Sequence, residues 1–173
     1  MSEQIIYWGL HECGPWNLYL AATSQGLCYT GSDHFEELAA WAQKRCPSHI
    51  VIRDDKKLEP YADELTAYLR GRRKYFSLPV DLYGTPFQLS VLHALRGIPY
   101  GRTSSYTEIA ERIQRRHAVR AVGAAIGANP VLIVIPCHRV IGKNGKLTGY
   151  RGGLEMKQHL LRLEGSGTGE CGA

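Results

Sequence analysis

The side chains best suited to chemistry surround Cys137, which ends an apolar run (131–135, then Pro136) and is followed directly by His138 and Arg139. A cysteine attacks as the thiolate, and the free side chain has a pKa of about 8.5. A neighbouring imidazole can accept the proton, and a cation lowers the pKa of the thiol. One interpretation is therefore a nucleophile held at the end of an apolar strand. The alternative, which this pattern alone favours, is an inert cysteine in the core.

The N-terminal half is typical of a small α/β lobe, which we place at residues 1–83. Three apolar segments separated by turns predict an antiparallel sheet built as a meander. They lie at 4–10, 16–23 and 27–30. A helix, a fourth strand at 49–52 and a second helix with apolar residues at helical spacing complete the lobe.

Residues 84–165 predict a mostly helical domain. Capping boxes at Thr85–Gln88 and Ser105–Glu108 begin two helices, and residues 118–128, rich in alanine and glycine, form a third. Two short helices joined by a tight basic turn are typical of a helix-turn-helix, here in a winged-helix-like arrangement. A last helix precedes a glycine-rich tail, 166–173, that we expect to be disordered.

Composition and charge narrow the classes of function. With 173 residues, 44% of them hydrophobic and 21% charged, the chain is globular rather than intrinsically disordered. Residues 1–85 carry nine Lys or Arg and eleven Asp or Glu, a net charge of −2. Residues 86–173 carry twelve Lys or Arg and five Asp or Glu, a net charge of +7. The basic half indicates either a polyanion-binding module or a solvated basic face without a partner. Five widely spaced cysteines indicate a reducing compartment rather than a disulfide framework.

Several motifs resemble the methylated-DNA–protein-cysteine methyltransferases, also called O6-alkylguanine-DNA alkyltransferases. The segment Ile135-Pro136-Cys137-His138-Arg139-Val140 is similar to the active-site signature of that family. The other similar segments are Tyr100-Gly101, Ser105-Tyr106, Arg120-Ala121-Val122-Gly123, Asn129-Pro130, Gly149-Tyr150, Gly152-Gly153, Leu160-Leu161 and Glu164-Gly165. The resemblance is continuous over about residues 85–165. For the N-terminal lobe it is looser and implies a ribonuclease H-like fold.

This resemblance implies that an alkyl group moves from O6 of guanine in DNA to Cys137, once per molecule and irreversibly, after the base is flipped out of the helix. His138 would act as general base through a bridging water, and Glu164 would orient it and balance its charge. Tyr106 would give a proton or hydrogen bond to N3 of the departing guanine, and Asn129 would brace the active-site turn. Each of these residues also has a purely structural alternative. Whether O4-alkylthymine is also a substrate is left open.

The same resemblance places the helix at 118–128 in the minor groove of double-stranded DNA, where small side chains fit. Arg120 would fill the space that the everted base leaves. The expected DNA contacts are Arg102, Arg115, Arg116, Arg120, Ala121, Gly123 and Ala124, with Arg96 and Lys146 as further candidates for phosphate contacts. The expected lining of the base pocket is Tyr106, Pro136, Val140, Gly149, Tyr150, Arg151 and Gly152. For each cation the alternative is a solvated surface charge.

We expect no cofactor and no metal. Some members of the family bind zinc in the N-terminal lobe, but Cys13, Cys28 and His34 resemble such a site only superficially, because their spacing differs and a fourth ligand is missing. We expect a monomer. No membrane partner is expected, since no signal peptide or membrane-spanning run is predicted. We expect it in the cytoplasm, or in the nucleus if the source is eukaryotic.

There are two alternatives to this function. A non-catalytic helix-turn-helix protein could sense alkylated DNA or regulate transcription. Such relatives replace the cysteine, whereas Cys137, His138 and Glu164 occur together here. A cysteine hydrolase would turn over repeatedly on an ester or amide without DNA. The basic second half of the chain argues against the hydrolase.

Overall fold

The computed structural model describes residues 2–32 and 34–165. The chain forms two compact units, with the boundary between Tyr83 and Gly84. The tail at 166–173, which includes Cys171 and for which we predict disorder, lies outside the described residues. Within the described ranges, no helix is long and apolar enough to cross a bilayer.

The N-terminal unit is a four-stranded sheet with two helices. Its elements are β1 (Ile5–Cys13), β2 (Trp16–Thr23), β3 (Gly26–Gly31), α1 (Phe35–Arg45), β4 (Ile50–Arg53) and α2 (Asp55–Leu69). Strands β1 to β3 pair antiparallel, which confirms the predicted meander. Strand β4 pairs with β1 in parallel, so the sheet is mixed, in the order β3-β2-β1-β4. The intervening α1 supplies the crossover that a parallel neighbour requires.

The C-terminal unit is mostly helical, as predicted. It contains α3 (Pro86–Arg96), β5 (Ser104–Ser105), α4 (Tyr106–Arg112), α5 (Val119–Gly127), a 3-10 helix (Cys137–Arg139), β6 (Val140–Ile141) and α6 (Leu154–Leu163). Both capping boxes form, from Thr85 and from Ser105. Helices α3, α4 and α5 pack on one another, and β5 pairs with β6. Cys137 lies in the segment that follows the helix-turn-helix pair α4–α5.

The segment before Cys137 is a buried turn, so the prediction of an apolar strand is wrong. The N–H of Ile135 donates to the carbonyl of Val131 at 3.0 Å, and Ile133 has φ +74°. The Asn129 side chain holds this turn, because its Oδ1 accepts from the Val131 N–H at 3.0 Å and its Nδ2 donates to the Ile135 carbonyl at 2.9 Å. Five consecutive apolar residues predict burial, but they do not distinguish a strand from a turn.

Candidate active site

Cys137 begins the 3-10 helix and is only 4% exposed. The fully buried Asn129 donates a hydrogen bond from Nδ2 to the Cys137 Sγ at 3.2 Å. Because the same amide also holds the preceding turn, the sulfur is fixed relative to the backbone. This contact agrees with the bracing role expected of Asn129 and extends it to the nucleophile itself.

The resting thiol is less acidic than the sequence suggested. Burial raises the pKa of Cys137, and the hydrogen bond from Asn129 and the charges of Arg151 and Lys157 oppose that rise only in part. Desolvation disfavours the charged form, and here it outweighs the cations. The sulfur is therefore a protonated thiol at rest, and a base must remove its proton when it reacts.

His138 and Arg139, which follow Cys137 in the chain, form a buried cluster with Glu164. The Glu164 Oε1 lies 3.0 Å from Nε2 of His138. Arg139 donates from Nε to Oε2 at 2.9 Å and from Nη2 to Oε1 at 2.8 Å, a bidentate pair that favours the ionised carboxylate. Arg139 also donates from Nη1 to the Ile98 carbonyl at 2.7 Å. Two nitrogens of the Arg139 guanidinium thus hold the Glu164 carboxylate against the imidazole of His138.

This geometry fixes the tautomer of His138. A carboxylate only accepts hydrogen bonds, so Nε2 of His138 carries the proton and Nδ1 keeps a lone pair. Nδ1 is buried and, within the described residues, has no hydrogen-bond partner. Burial lowers the pKa of His138, although Glu164 opposes this, so the ring is neutral near pH 7 and able to accept a proton. These are the properties of a general base.

Two members of the site have roles that the sequence analysis missed. Arg139 was considered only as a cation near the thiol, whereas it clamps Glu164. Lys157, on α6, is 1% exposed, and its Nζ donates to the carbonyls of Val140 at 2.7 Å and Thr148 at 3.4 Å. Burial lowers the pKa of Lys157 to about 8. The available signal was a lysine at helical spacing with Leu160 and Leu161, on a face that should be apolar.

The residues predicted to line the pocket lie on α4, around the cysteine turn and in the loop before α6. The Tyr106 hydroxyl, at the start of α4, is hydrogen-bonded to the Thr148 hydroxyl. Arg151 donates from Nε to the Asn129 carbonyl at 3.1 Å, so it contacts the cysteine turn directly. Pro136 and Val140 are buried on either side of the 3-10 helix, whereas Gly149 is exposed and Tyr150 half-buried. Gly152 is required by packing, because a Cβ there would lie 2.7 Å from the Tyr150 ring and 2.9 Å from the Met156 sulfur.

Helix α5 exposes the residues expected at DNA. Val122, Ala125 and Ile126 are buried, whereas its outer face carries Arg120, Ala121, Ala124 and Gly127. Gly123 is half-buried, and a Cβ there would lie 3.8 Å from the Tyr106 ring. Arg115 and Arg116 are exposed on the turn before α5, where they border a cavity of about 660 Å³. Arg96, Arg102 and Lys146 are exposed on other segments of the unit rather than on this face.

In the part of the chain that the structure describes, no three His, Cys, Asp or Glu side chains lie close enough together to hold a metal ion. Cys13, Cys28, Cys46 and Cys137 are free thiols.

The buried neutral imidazole predicts a pH dependence of stability. Because the native pKa of His138 lies below the unfolded value of 6.5, the unfolded chain binds a proton first as the pH falls. The contribution is therefore fully present above about pH 6.5 and is lost at about 1 kcal/mol per pH unit below it. We expect urea unfolding to show a smaller loss between pH 7.5 and pH 5.5 for His138→Asn than for the parent chain. The control His93→Asn, at an exposed position on α3, should retain the full loss. Equal losses in all three proteins would contradict a buried neutral His138.

Models of one protein family match both units of the chain. Residues 6–82 match the family model "6-O-methylguanine DNA methyltransferase, ribonuclease-like domain", and residues 86–166 match "6-O-methylguanine DNA methyltransferase, DNA binding domain". A Bacillus subtilis (strain 168) protein named inducible methylated-DNA–protein-cysteine methyltransferase is 58% identical, over 94% of this chain and 92% of its own length. Methanosarcina acetivorans has a protein named methylated-DNA–protein-cysteine methyltransferase. It is 40% identical, over 93% of this chain and 99% of its own length.

A solved structure extends the similarity to the fold. Mycobacterium tuberculosis OGT in complex with DNA has a TM-score of 0.76 and 39% identity, covering 93% of this chain and 92% of that chain. These findings confirm the resemblance inferred from the sequence and favour alkyl transfer over the sensor and hydrolase alternatives. The chain belongs to the 6-O-methylguanine DNA methyltransferase family.

Proposed function

We propose that this chain repairs double-stranded DNA by transferring the alkyl group of O6-alkylguanine to Cys137. Membership of the family establishes the class of reaction, which is DNA repair by alkyl transfer to a cysteine of the protein. The observation that supports Cys137 as the acceptor is the neighbouring His138, which is buried and neutral and whose Nε2 lies 3.0 Å from Glu164. A thiol held by Asn129 thus has a base next to it in the chain.

The proposed reaction is a displacement at the alkyl carbon. Nδ1 of His138 takes the proton of Cys137 through a bridging water, and Glu164 and Arg139 stabilise the imidazolium that forms. The sulfur then forms a bond to the alkyl carbon while the bond from that carbon to O6 breaks. Tyr106 gives a proton to N3 of the departing guanine, and proton exchange with solvent returns the phenolate and the imidazolium to their neutral forms. No cofactor takes part in these steps.

The product accounts for a single turnover. Alkyl transfer leaves a thioether at Cys137, which water does not hydrolyse. Residues 84–165 contain no other cysteine that could displace the alkyl group. Each molecule would therefore act once, and the protein would be consumed in proportion to the damage repaired.

DNA binding is assigned to the outer face of α5. Its small side chains, Ala121, Ala124 and Gly127, allow the backbone to approach a minor groove closely, and Arg120 projects from the same face. The exposed Arg115 and Arg116 would contact phosphates, so binding should weaken as salt rises. We place this reaction inside the cell, in the cytoplasm or in a nucleus, with one monomer acting on each lesion.

The proposed function is tested with a duplex that carries one O6-methylguanine. After incubation with an excess of protein, the DNA is digested to nucleosides and separated by chromatography. We expect O6-methyl-2′-deoxyguanosine to disappear and to be replaced by an equal amount of 2′-deoxyguanosine. A lesion that persists in the presence of folded protein would refute the proposal.

Replacing Arg120 should separate repair from binding. If Arg120 holds the flipped state, Arg120→Ala will slow methyl transfer from a duplex about tenfold or more, while binding to undamaged DNA stays within about threefold. The matched variant Arg116→Ala should weaken binding and lower its salt dependence by about one phosphate contact. With free O6-benzylguanine, which needs no flipping, Arg120→Ala should react at the parent rate. Equal losses of transfer and binding would make Arg120 a phosphate contact only.

A further inference from the structure

Thr148 occupies a position that neither the motifs nor the proposed function explains. It lies in the loop between β6 and α6, and its hydroxyl is hydrogen-bonded to the Tyr106 hydroxyl. Tyr106 is the first residue of α4, and its ring faces Gly123 of α5, where an added Cβ would lie 3.8 Å from the ring. The phenol oxygen is therefore held by Thr148, and the ring faces α5.

Thr148 is itself held in place. Its carbonyl accepts a hydrogen bond from Nζ of Lys157 at 3.4 Å, and the same ammonium donates to the Val140 carbonyl at 2.7 Å. Val140 follows the 3-10 helix that begins at Cys137. Through the buried Lys157, the position of the Thr148 hydroxyl is thus tied to the segment that carries the nucleophile.

We propose that Thr148 is a positioning residue for alkyl transfer, acting through the Tyr106 hydroxyl. The inference rests on the proposed function, in which Tyr106 protonates the departing guanine. Either hydroxyl can donate in the resting pair. When Thr148 donates, the Tyr106 oxygen is the acceptor and its own proton is available to the purine. As the sulfur–carbon bond forms and the carbon–O6 bond breaks, that proton moves to guanine N3, and the Thr148 O–H stabilises the phenolate left behind.

The side chain itself supplies the test of this role. Valine has the shape of threonine without a donor, and serine keeps the donor without the methyl group. If Thr148 acts by packing alone, Thr148→Val is harmless and Thr148→Ser is the damaging change. If it acts by its hydrogen bond, the order is reversed.

The experiment is single-turnover methyl transfer from an O6-methylguanine duplex at increasing concentrations of the full chain. It separates the limiting rate from the half-saturating concentration. For Thr148→Val we expect a limiting rate about tenfold lower, the scale of one lost hydrogen bond, with half-saturation within about twofold. The limiting rate of Thr148→Ser should stay within about threefold of the parent rate. The limiting rate of Thr148→Ala should fall as far as that of Thr148→Val.

A second background shows whether Thr148 acts through Tyr106. In Tyr106→Phe, which lacks the phenol oxygen, adding Thr148→Val should cause no further loss. The proposal would be overturned by a valine variant with the parent limiting rate, or by an equal loss in both backgrounds. A parent chain that transfers no methyl group in this assay would instead refute the proposed function, so the two failures are distinguishable.

Discussion

Cys137→Ser will take up no methyl group from a duplex that carries O6-methylguanine, although it should still bind that duplex. Asn129 can donate to a serine oxygen as it does to the Cys137 sulfur, at 3.2 Å, so the turn and the fold should persist. An alcohol is far less acidic than a thiol, and a neutral imidazole that deprotonates the thiol will not generate an alkoxide at a useful rate. The expected effect is complete loss of transfer, measured as methyl retained in the DNA.

The matched control is Cys13→Ser. Cys13 is a half-buried free thiol at the end of β1, in the N-terminal unit. This variant should transfer the methyl group at the parent rate. Transfer that survives in Cys137→Ser, or that is lost in Cys13→Ser, would assign the acceptor to another sulfur.

Glu164→Gln will slow transfer by about a hundredfold or more. The amide has nearly the shape of the carboxylate but no charge, so it neither stabilises the imidazolium nor fixes the tautomer that leaves Nδ1 of His138 free. It also leaves the buried guanidinium of Arg139 without its anion, which should lower the free energy of unfolding by about 3 kcal/mol. Single-turnover rates and urea unfolding measure the two effects separately.

Glu155→Gln is the control for that change. Glu155 is an exposed carboxylate in the first turn of the same helix, α6. It should alter the transfer rate by less than about twofold and stability by less than about 0.5 kcal/mol. A Glu164→Gln protein that reacts at the parent rate would remove Glu164 from the mechanism and leave its pairing with Arg139 as a structural feature.

The burial of Cys137 has a functional reason under this account. A thiol whose pKa is raised by burial is largely protonated, and the protonated form resists oxidation and adventitious alkylation. A molecule that acts once gains from a nucleophile that stays unreacted until the damaged base arrives. Lys157 and Arg151, whose charges lower the pKa of Cys137, would favour the thiolate at that moment.

Local sequence signals predicted much of the fold. The capping boxes at Thr85 and Ser105 determine where α3 and α4 begin, because each pairs a side chain with the backbone of its own first turn. The direction of β4 could not be predicted in this way, since its pairing with β1 spans about 45 residues and depends on the α1 crossover. The apolar run before Cys137 was misassigned because its shape is set by the Asn129 side chain rather than by propensity.

The site, like the fold, combines residues that a local motif identifies with residues that only chain folding brings together. Cys137, His138 and Arg139 are adjacent in sequence, so a motif identifies them. Three other contacts of the site join residues 17 to 42 positions apart and form only when the chain folds. They are Lys157 with Val140, His138 with Glu164, and Tyr106 with Thr148. The raised pKa of Cys137 was also beyond the motif, because burial is a property of the packed unit rather than of the neighbouring residues.

The central claim is that the sulfur of Cys137 accepts the alkyl group. It is tested most directly by incubating the parent chain with an equimolar duplex carrying one O6-methylguanine with an isotopically labelled methyl group, then measuring the intact mass and mapping the peptides. We expect one labelled methyl group per molecule, on Cys137, with no second addition when more duplex is supplied. An unchanged mass, a label on another residue, or repeated turnover without a mass gain would contradict it.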